Sequence, residues 1–239
     1  MVFRRTLTAL FLLVCAAPLH AQPNVIVIMA DDIGFECYSQ YGSEFYQTPR
    51  IDQLAREGAA FTQAYSQPIC TPSRVRIMTG RYKFKNYTIF GELDLEQPTF
   101  AKMVKARGYA TAIAGKWQLS LADLEGPYKA GFDEYCLWHF SRGQAPESTP
   151  EKFRKKGPRY KSPRLFKNGT RVANTEGKYG PDIVSDYICD FIERNKDQPF
   201  LVYYPMILVH NPFDPTPDSR DWDENEESRK PTEHCREMV

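Results

Sequence analysis

The chain has 239 residues, a formal net charge of +1, and 42% apolar and 26% charged residues. That is enough material for one sizeable core, or two at most. A balance so near neutral gives no global electrostatic argument for nucleic acid or for an anionic membrane surface.

The first residues, MVFRRTLTALFLLVCAAPLHAQ, carry Arg4 and Arg5, then an apolar run from Leu7 to Pro18. This layout predicts a secretory signal peptide over 1–21, cut after about Ala21. The run is too short for a stable membrane span. The expected location is periplasmic or secreted, and residues 22–239 are taken as the folding unit. Without Cys15, the cysteines are Cys37, Cys70, Cys136, Cys189 and Cys235. An odd number in an exported chain suggests one thiol with a separate task. With Cys70 set aside, the other four could form two disulfides in any of three pairings, or stay reduced.

Pro23 to Ala30, PNVIVIMA, is a β-branched run that predicts a strand buried on both faces, ending in Asp31-Asp32. Thr48 to Gly58 predicts a helix with Thr48 as cap, Pro49 in the first turn and Gly58 as stop. Ala59 to Tyr65 is a second short strand candidate, and a helix is expected from Cys70 to near Gly80. Gln97 to Gly108 is amphipathic at helical spacing. Tyr109 to Ala114 predicts a buried strand running into Gly115-Lys116-Trp117-Gln118. Pro181 to Asn195 predicts a helix with Ile183, Tyr187, Ile188 and Phe191 on one face. Pro199 to Val209 predicts a long strand leading into His210-Asn211-Pro212-Phe213.

Strands alternating with helices predict an α/β fold with a mostly parallel central sheet flanked by helices. Asp31-Asp32, Lys116 to Gln118, and His210 each follow the carboxyl end of a predicted strand, the edge where open α/β sheets bind ligands. Glu151 to Arg171 holds nine basic residues and one acidic. It reads as a solvated loop ending in a hairpin around Asn168-Gly169, with a grip on an anionic polymer as the rival reading. Asn86-Tyr87-Thr88 and Asn168-Gly169-Thr170 are glycosylation sequons, meaningful only in a eukaryotic secretory host.

QPICTPSRVRIMTGR places Cys70 at the mouth of its helix, because Pro72 suits the first turn. Free N–H donors and the positive end of the dipole favour an anion there. Arg74, four residues on, adds a planar cation to the same face. On these grounds Cys70 is either an activated thiolate nucleophile or a buried structural cysteine.

Cys-Thr-Pro-Ser-Arg at Cys70 to Arg74, followed by Thr79-Gly80-Arg81, resembles the signature of the type I, formylglycine-dependent sulfatases, arylsulfatases among them. The resemblance runs from Pro23 to about Phe213. It implies an alkaline-phosphatase-like fold and hydrolysis of sulfate esters, and it implies that Cys70 is oxidised to formylglycine. The aldehyde hydrates to a geminal diol, one hydroxyl attacks the sulfur and expels the alcohol, and loss of a proton from the other eliminates sulfate. By the same resemblance, Asp31, Asp32 and the modified Cys70 bind Ca²⁺. Arg74 steadies the formylglycine, Lys116 contacts the sulfate, and His210 contacts the sulfate and protonates the leaving alcohol. The implied partners are an aryl or glycan sulfate ester and a separate formylglycine-generating enzyme.

Two departures from the family pattern stand out. Gln118 occupies the place of a histidine found in many relatives, so it can exchange hydrogen bonds but cannot shuttle a proton. Relatives are also about twice as long and carry a later Asp-Asn or Asp-His pair that completes the metal site. No such pair follows His210 here. The expectation is therefore the N-terminal portion of a sulfatase catalytic domain, with poor or no turnover by the 239 residues alone. Alternative readings are a phosphonate or phosphodiester hydrolase, and a non-catalytic exported protein that binds anionic glycans through Lys152 to Arg171.

Overall fold

The computed structural model describes residues 22–120, 123–138, 158–220 and 222–223. The segment read as a signal peptide, Cys235, and the first part of the basic run at 151–157 lie outside them.

Six strands form one sheet: β1 (Val25–Met29), β2 (Ala110–Lys116), β3 (Glu134–Trp138), β4 (Leu165–Lys167), β5 (Thr170–Arg171) and β6 (Phe200–Pro205). Their order is β1-β6-β2-β3-β4-β5, parallel from β1 through β3, with β4 and β5 antiparallel at one side. The β4–β5 turn is Asn168-Gly169, both at positive φ, as a two-residue hairpin of this twist demands.

The helices are α1 (Pro49–Glu57), α2 (Cys70–Thr79), α3 (Lys83–Asn86), α4 (Phe100–Lys105), α5 (Gly126–Lys129) and α6 (Gly180–Asn195). Strand alternation divides the core between the two faces of the sheet. Ala112, Ala114, Phe200 and Val202 pack with Val184, Tyr187, Ile188 and Phe191 of α6. Ile113, Leu201 and Tyr203 pack with Val75 and Met78 of α2 and Ala101 of α4. The α/β reading thus holds, with helices on both faces.

Four local expectations need correction. Among the described residues β1 lies at the edge of the sheet rather than buried on both faces, with Ile26 48% and Ile28 61% exposed. A five-residue apolar run states that a strand forms, but not which strands flank it. No strand forms at Ala59 to Tyr65, where every residue is exposed and no neighbouring strand offers a ladder. β6 ends at Pro205, short of Val209. Thr48 precedes α1 without capping it by its side chain. Its hydroxyl instead lies 2.9 Å from the Ser39 hydroxyl. One strand, β3, went unread because Glu134 to Trp138 is too short to show a period.

Other details follow the sequence closely. Gly80 ends α2 in the left-handed conformation, donating its N–H to the Arg76 carbonyl. Gly115 has φ +121°, and a Cβ there would sit 2.0 Å from the Pro205 carbonyl oxygen. Only glycine lets β2 approach β6 this closely, one residue before Lys116. Of the two sequons, Asn86 is buried and bonds to Thr79, which disfavours a glycan there.

Candidate active site

The parallel neighbours β1, β6 and β2 all point their carboxyl ends to the same edge. Backbone pairing continues past the strands and fixes the residues beyond them. The Asp31 N–H donates to the Leu208 carbonyl, and the Val209 N–H donates to the Asp31 carbonyl, both at 2.8 Å. Asp31 is thereby held beside the segment that carries His210.

Asp31 lies at the centre of a buried charge cluster. Its Oδ2 accepts from Lys116 Nζ at 2.6 Å, and its Oδ1 lies 3.3 Å from Arg74 Nη2. Arg74 also donates through Nη1 to the Lys116 carbonyl at 2.9 Å. All three side chains are at most 2% exposed. Burial lowers the Lys116 pKa, and the nearby Asp31 carboxylate acts against that shift. Two inward Arg74 nitrogens, Nε and Nη2, find no hydrogen-bond acceptor.

Cys70 is the first residue of α2, and Ile69 before it provides no side-chain cap. The positive end of the helix therefore faces this edge uncapped by a side chain. The Cys70 thiol donates to Gln118 Oε1 at 3.3 Å. Gln118 has φ +51°, which swings it back from the end of β2 towards α2. Ser73 fastens the approach to Cys70: its Oγ lies 3.0 Å from the Ile69 carbonyl and accepts from the Gln67 N–H at 3.1 Å. His210 Nε2 lies 3.4 Å from Asp32 Oδ2. Its Nδ1 is 2.8 Å from the Asn211 carbonyl, which can only accept, so Nδ1 carries the proton.

Asp31, Asp32, Cys70, Arg74, Lys116, Gln118 and His210 thus gather at one edge. Sequence reasoning missed two further neighbours. Tyr160 is fully buried and donates to the carbonyls of Ile207 (3.1 Å) and His210. Arg159 stacks on Trp138, 4.3 Å from its ring centre. No local pattern marks either, since Arg159 stacks on a ring from β3 and Tyr160 bonds to carbonyls 47 and 50 residues away along the chain. Trp138 and Tyr203 are both buried in the core.

The metal-ligand set is incomplete. Asp31 and Asp32 offer two carboxylates, but no group of three His, Cys, Asp or Glu side chains occurs among the described residues. A calcium ion takes about six to eight oxygens, so these residues alone do not make its site. No helix among the described residues is long and apolar enough to cross a membrane.

A mostly parallel α/β sheet thus gathers a cysteine, one arginine, one lysine and two adjacent aspartates at its carboxyl edge, and the two cations suit an anionic ligand. The sulfatase family profile matches residues 23–237, and the chain belongs to the sulfatase family. It is 32% identical over 218 residues to an N-acetylglucosamine-6-O-sulfatase of Bacteroides thetaiotaomicron, covering 88% of this chain and 35% of that one. A solved structure in complex with its substrate D-glucosamine-2-N,6-O-disulfate aligns with a TM-score of 0.66 at 30% identity, over 82% of this chain and 36% of that one. The crystal structure of Ps i-CgsB aligns with a TM-score of 0.70 at 28% identity, over 82% and 47%. The chain therefore spans about a third to a half of the length of these three proteins.

Proposed function

We propose that the protein carrying this chain hydrolyses sulfate esters, with a glycan sulfate as the favoured substrate class. The observation that carries this reading is the placement of Cys70, within the family signature, at the uncapped start of α2 and in contact with Gln118. Its surroundings support the reading: Arg74 and Lys116 supply buried positive charge for an anionic ester. The glycan preference rests on the relatives, one named for an N-acetylglucosamine sulfate and one bound to a glucosamine disulfate.

In this reading Cys70 is matured to formylglycine by a separate enzyme, and the modified residue supplies the nucleophile. Asp31 and Asp32 would offer carboxylates to a Ca²⁺, which would need further oxygen ligands beyond these two. Arg74 bridges α2 to the end of β2 and fixes residue 70 against Lys116 and Asp31. Lys116 binds a sulfate oxygen, and Gln118 holds residue 70 by a hydrogen bond. His210, part-exposed and proton-bearing at Nδ1, presents Nε2 to the leaving oxygen once protonated. A leader at residues 1–21 would deliver the protein to the periplasm or outside the cell.

Release of inorganic sulfate from an aryl sulfate and a glucosamine sulfate is the direct test, using the complete polypeptide matured at Cys70. Peptide mass at residue 70 verifies the modification. Turnover lost in Cys70→Ser is expected. Cleavage of phosphonate esters in preference to sulfates would replace this reading with the phosphonate hydrolase one.

A further inference from the structure

We propose that Arg159 is a substrate-recognition residue of this site, donating to an anionic oxygen of the bound ester. The inference rests on the sulfate-ester reading above, and it assigns a residue outside the signature motifs.

The position of Arg159 is built rather than incidental. Lys116 and Trp138 are register partners at the carboxyl ends of β2 and β3, so Trp138 stands beside the charge cluster. Trp138 Nε1 donates to the Pro158 carbonyl at 3.1 Å, and its ring carries the Arg159 guanidinium. The next residue, Tyr160, is fastened to the His210 carbonyl. On the far side, a Cβ at Gly180 would fall 2.1 Å from the Arg159 carbonyl oxygen, so that crossing requires glycine. Arg159 is thus pinned between the strand end that carries Lys116 and the loop that carries His210.

Its guanidinium lies near the Tyr160 ring as well, 5.9 Å from the ring centre, but no carboxylate pairs with it among the described residues. Asp31 is the ion-pair partner of Arg74 and Lys116, while Arg159 lies within electrostatic reach of Asp31 without bonding to it. Its Nη1 is buried and has no hydrogen-bond acceptor. The residue is only half-buried, but a guanidinium nitrogen shut off from water without an acceptor is costly, and an oxyanion entering the site would supply that acceptor. The planar fork suits a sulfate or carboxylate. The anion is either the sulfate under attack or a second anionic substituent of the sugar.

The test compares wild type, Arg159→Gln and Arg159→Lys in the complete, Cys70-matured polypeptide, on a monosulfated and a disulfated glucosamine. Loss of one charge-assisted hydrogen bond predicts a KM raised about 10- to 100-fold in Arg159→Gln with kcat little changed. A rise on both sugars assigns Arg159 to the reacting sulfate, and a rise on the disulfated sugar alone assigns it to the second anion. Arg159→Lys should recover only part of the loss. Unchanged KM on both sugars, or a matched fall in kcat and melting temperature, would overturn the proposal and leave a structural arginine. A wild type inactive on both sugars and on an aryl sulfate would instead defeat the sulfatase reading, and this inference with it.

Discussion

Lys116 and Asp31 lie 85 residues apart in sequence and 2.6 Å apart in space, both almost fully buried. This pair ties β2 to the end of β1, and Arg74 adds α2 to the same carboxylate. Asp31→Ala would leave two buried cations uncompensated. The expected cost is roughly 3–5 kcal/mol of folding stability. Urea denaturation of the variant measures it, and a loss within error of zero would mean the cluster is solvated in solution.

Gln118 accepts the Cys70 thiol, and it cannot titrate. Gln118→His places a group with an ordinary pKa of about 6.5 at that contact. A new inflection near neutral pH is expected in the kcat profile of the matured protein. Superimposable profiles for variant and wild type would remove Gln118 from any role in proton handling.

The free thiols should differ sharply in reactivity. Burial pushes the Cys136 thiol up to about 12, so it holds almost no thiolate at neutral pH. Cys189 is exposed on α6. Native-state alkylation with peptide mapping should label Cys189 quickly and Cys136 only after unfolding. Early labelling of Cys136 would show that β3 opens readily.

Asp133 accepts from the Thr111 N–H and hydroxyl and pairs with Lys105 at 2.6 Å. Burial acts to raise its pKa, but the Lys105 and Thr111 hydrogen bonds outweigh it and hold it below 3.8. A depressed carboxylate contributes stability above the unfolded pKa and loses it as pH falls through the folded value. Asp133→Asn should therefore destabilise the protein near neutral pH and do so much less in strong acid. A deficit that stays the same across that acid titration would point to lost hydrogen-bond geometry alone.

The β1 edge is uncharged and apolar, with Ile26 and Ile28 facing solvent. Such edges pair with other chains. The 239-residue polypeptide should self-associate as its concentration rises, and Ile28→Lys should reduce this. Light scattering that is equal for both would show the edge to be protected.

Much of the site was legible because its chemistry is carried by short words. Cys70 to Arg74 names the reaction class by resemblance, and Pro72 alone places Cys70 at a helix start. Strands β1, β2 and β6 were readable as apolar runs, each followed by a polar residue. The sequence could not say that β6 inserts between β1 and β2. That order makes Asp31, Lys116 and His210 neighbours, and it arises from long-range hydrogen bonding that no local pattern encodes.

By itself, then, the sequence determined the alternation of strands and helices, the helix start at Cys70 and the residue types of an anion site. Those depend on periodicity, capping and side-chain chemistry within a few residues. Only the tertiary structure decided that β1 lies at the edge of the sheet formed by the described residues, that Asp31 has two cations as partners, and that Arg159 lies against Trp138 with one buried nitrogen lacking an acceptor. Burial and pairing across long stretches of chain are properties of the packed sheet, and they fix which charges are spent inside the molecule and which are left for a ligand.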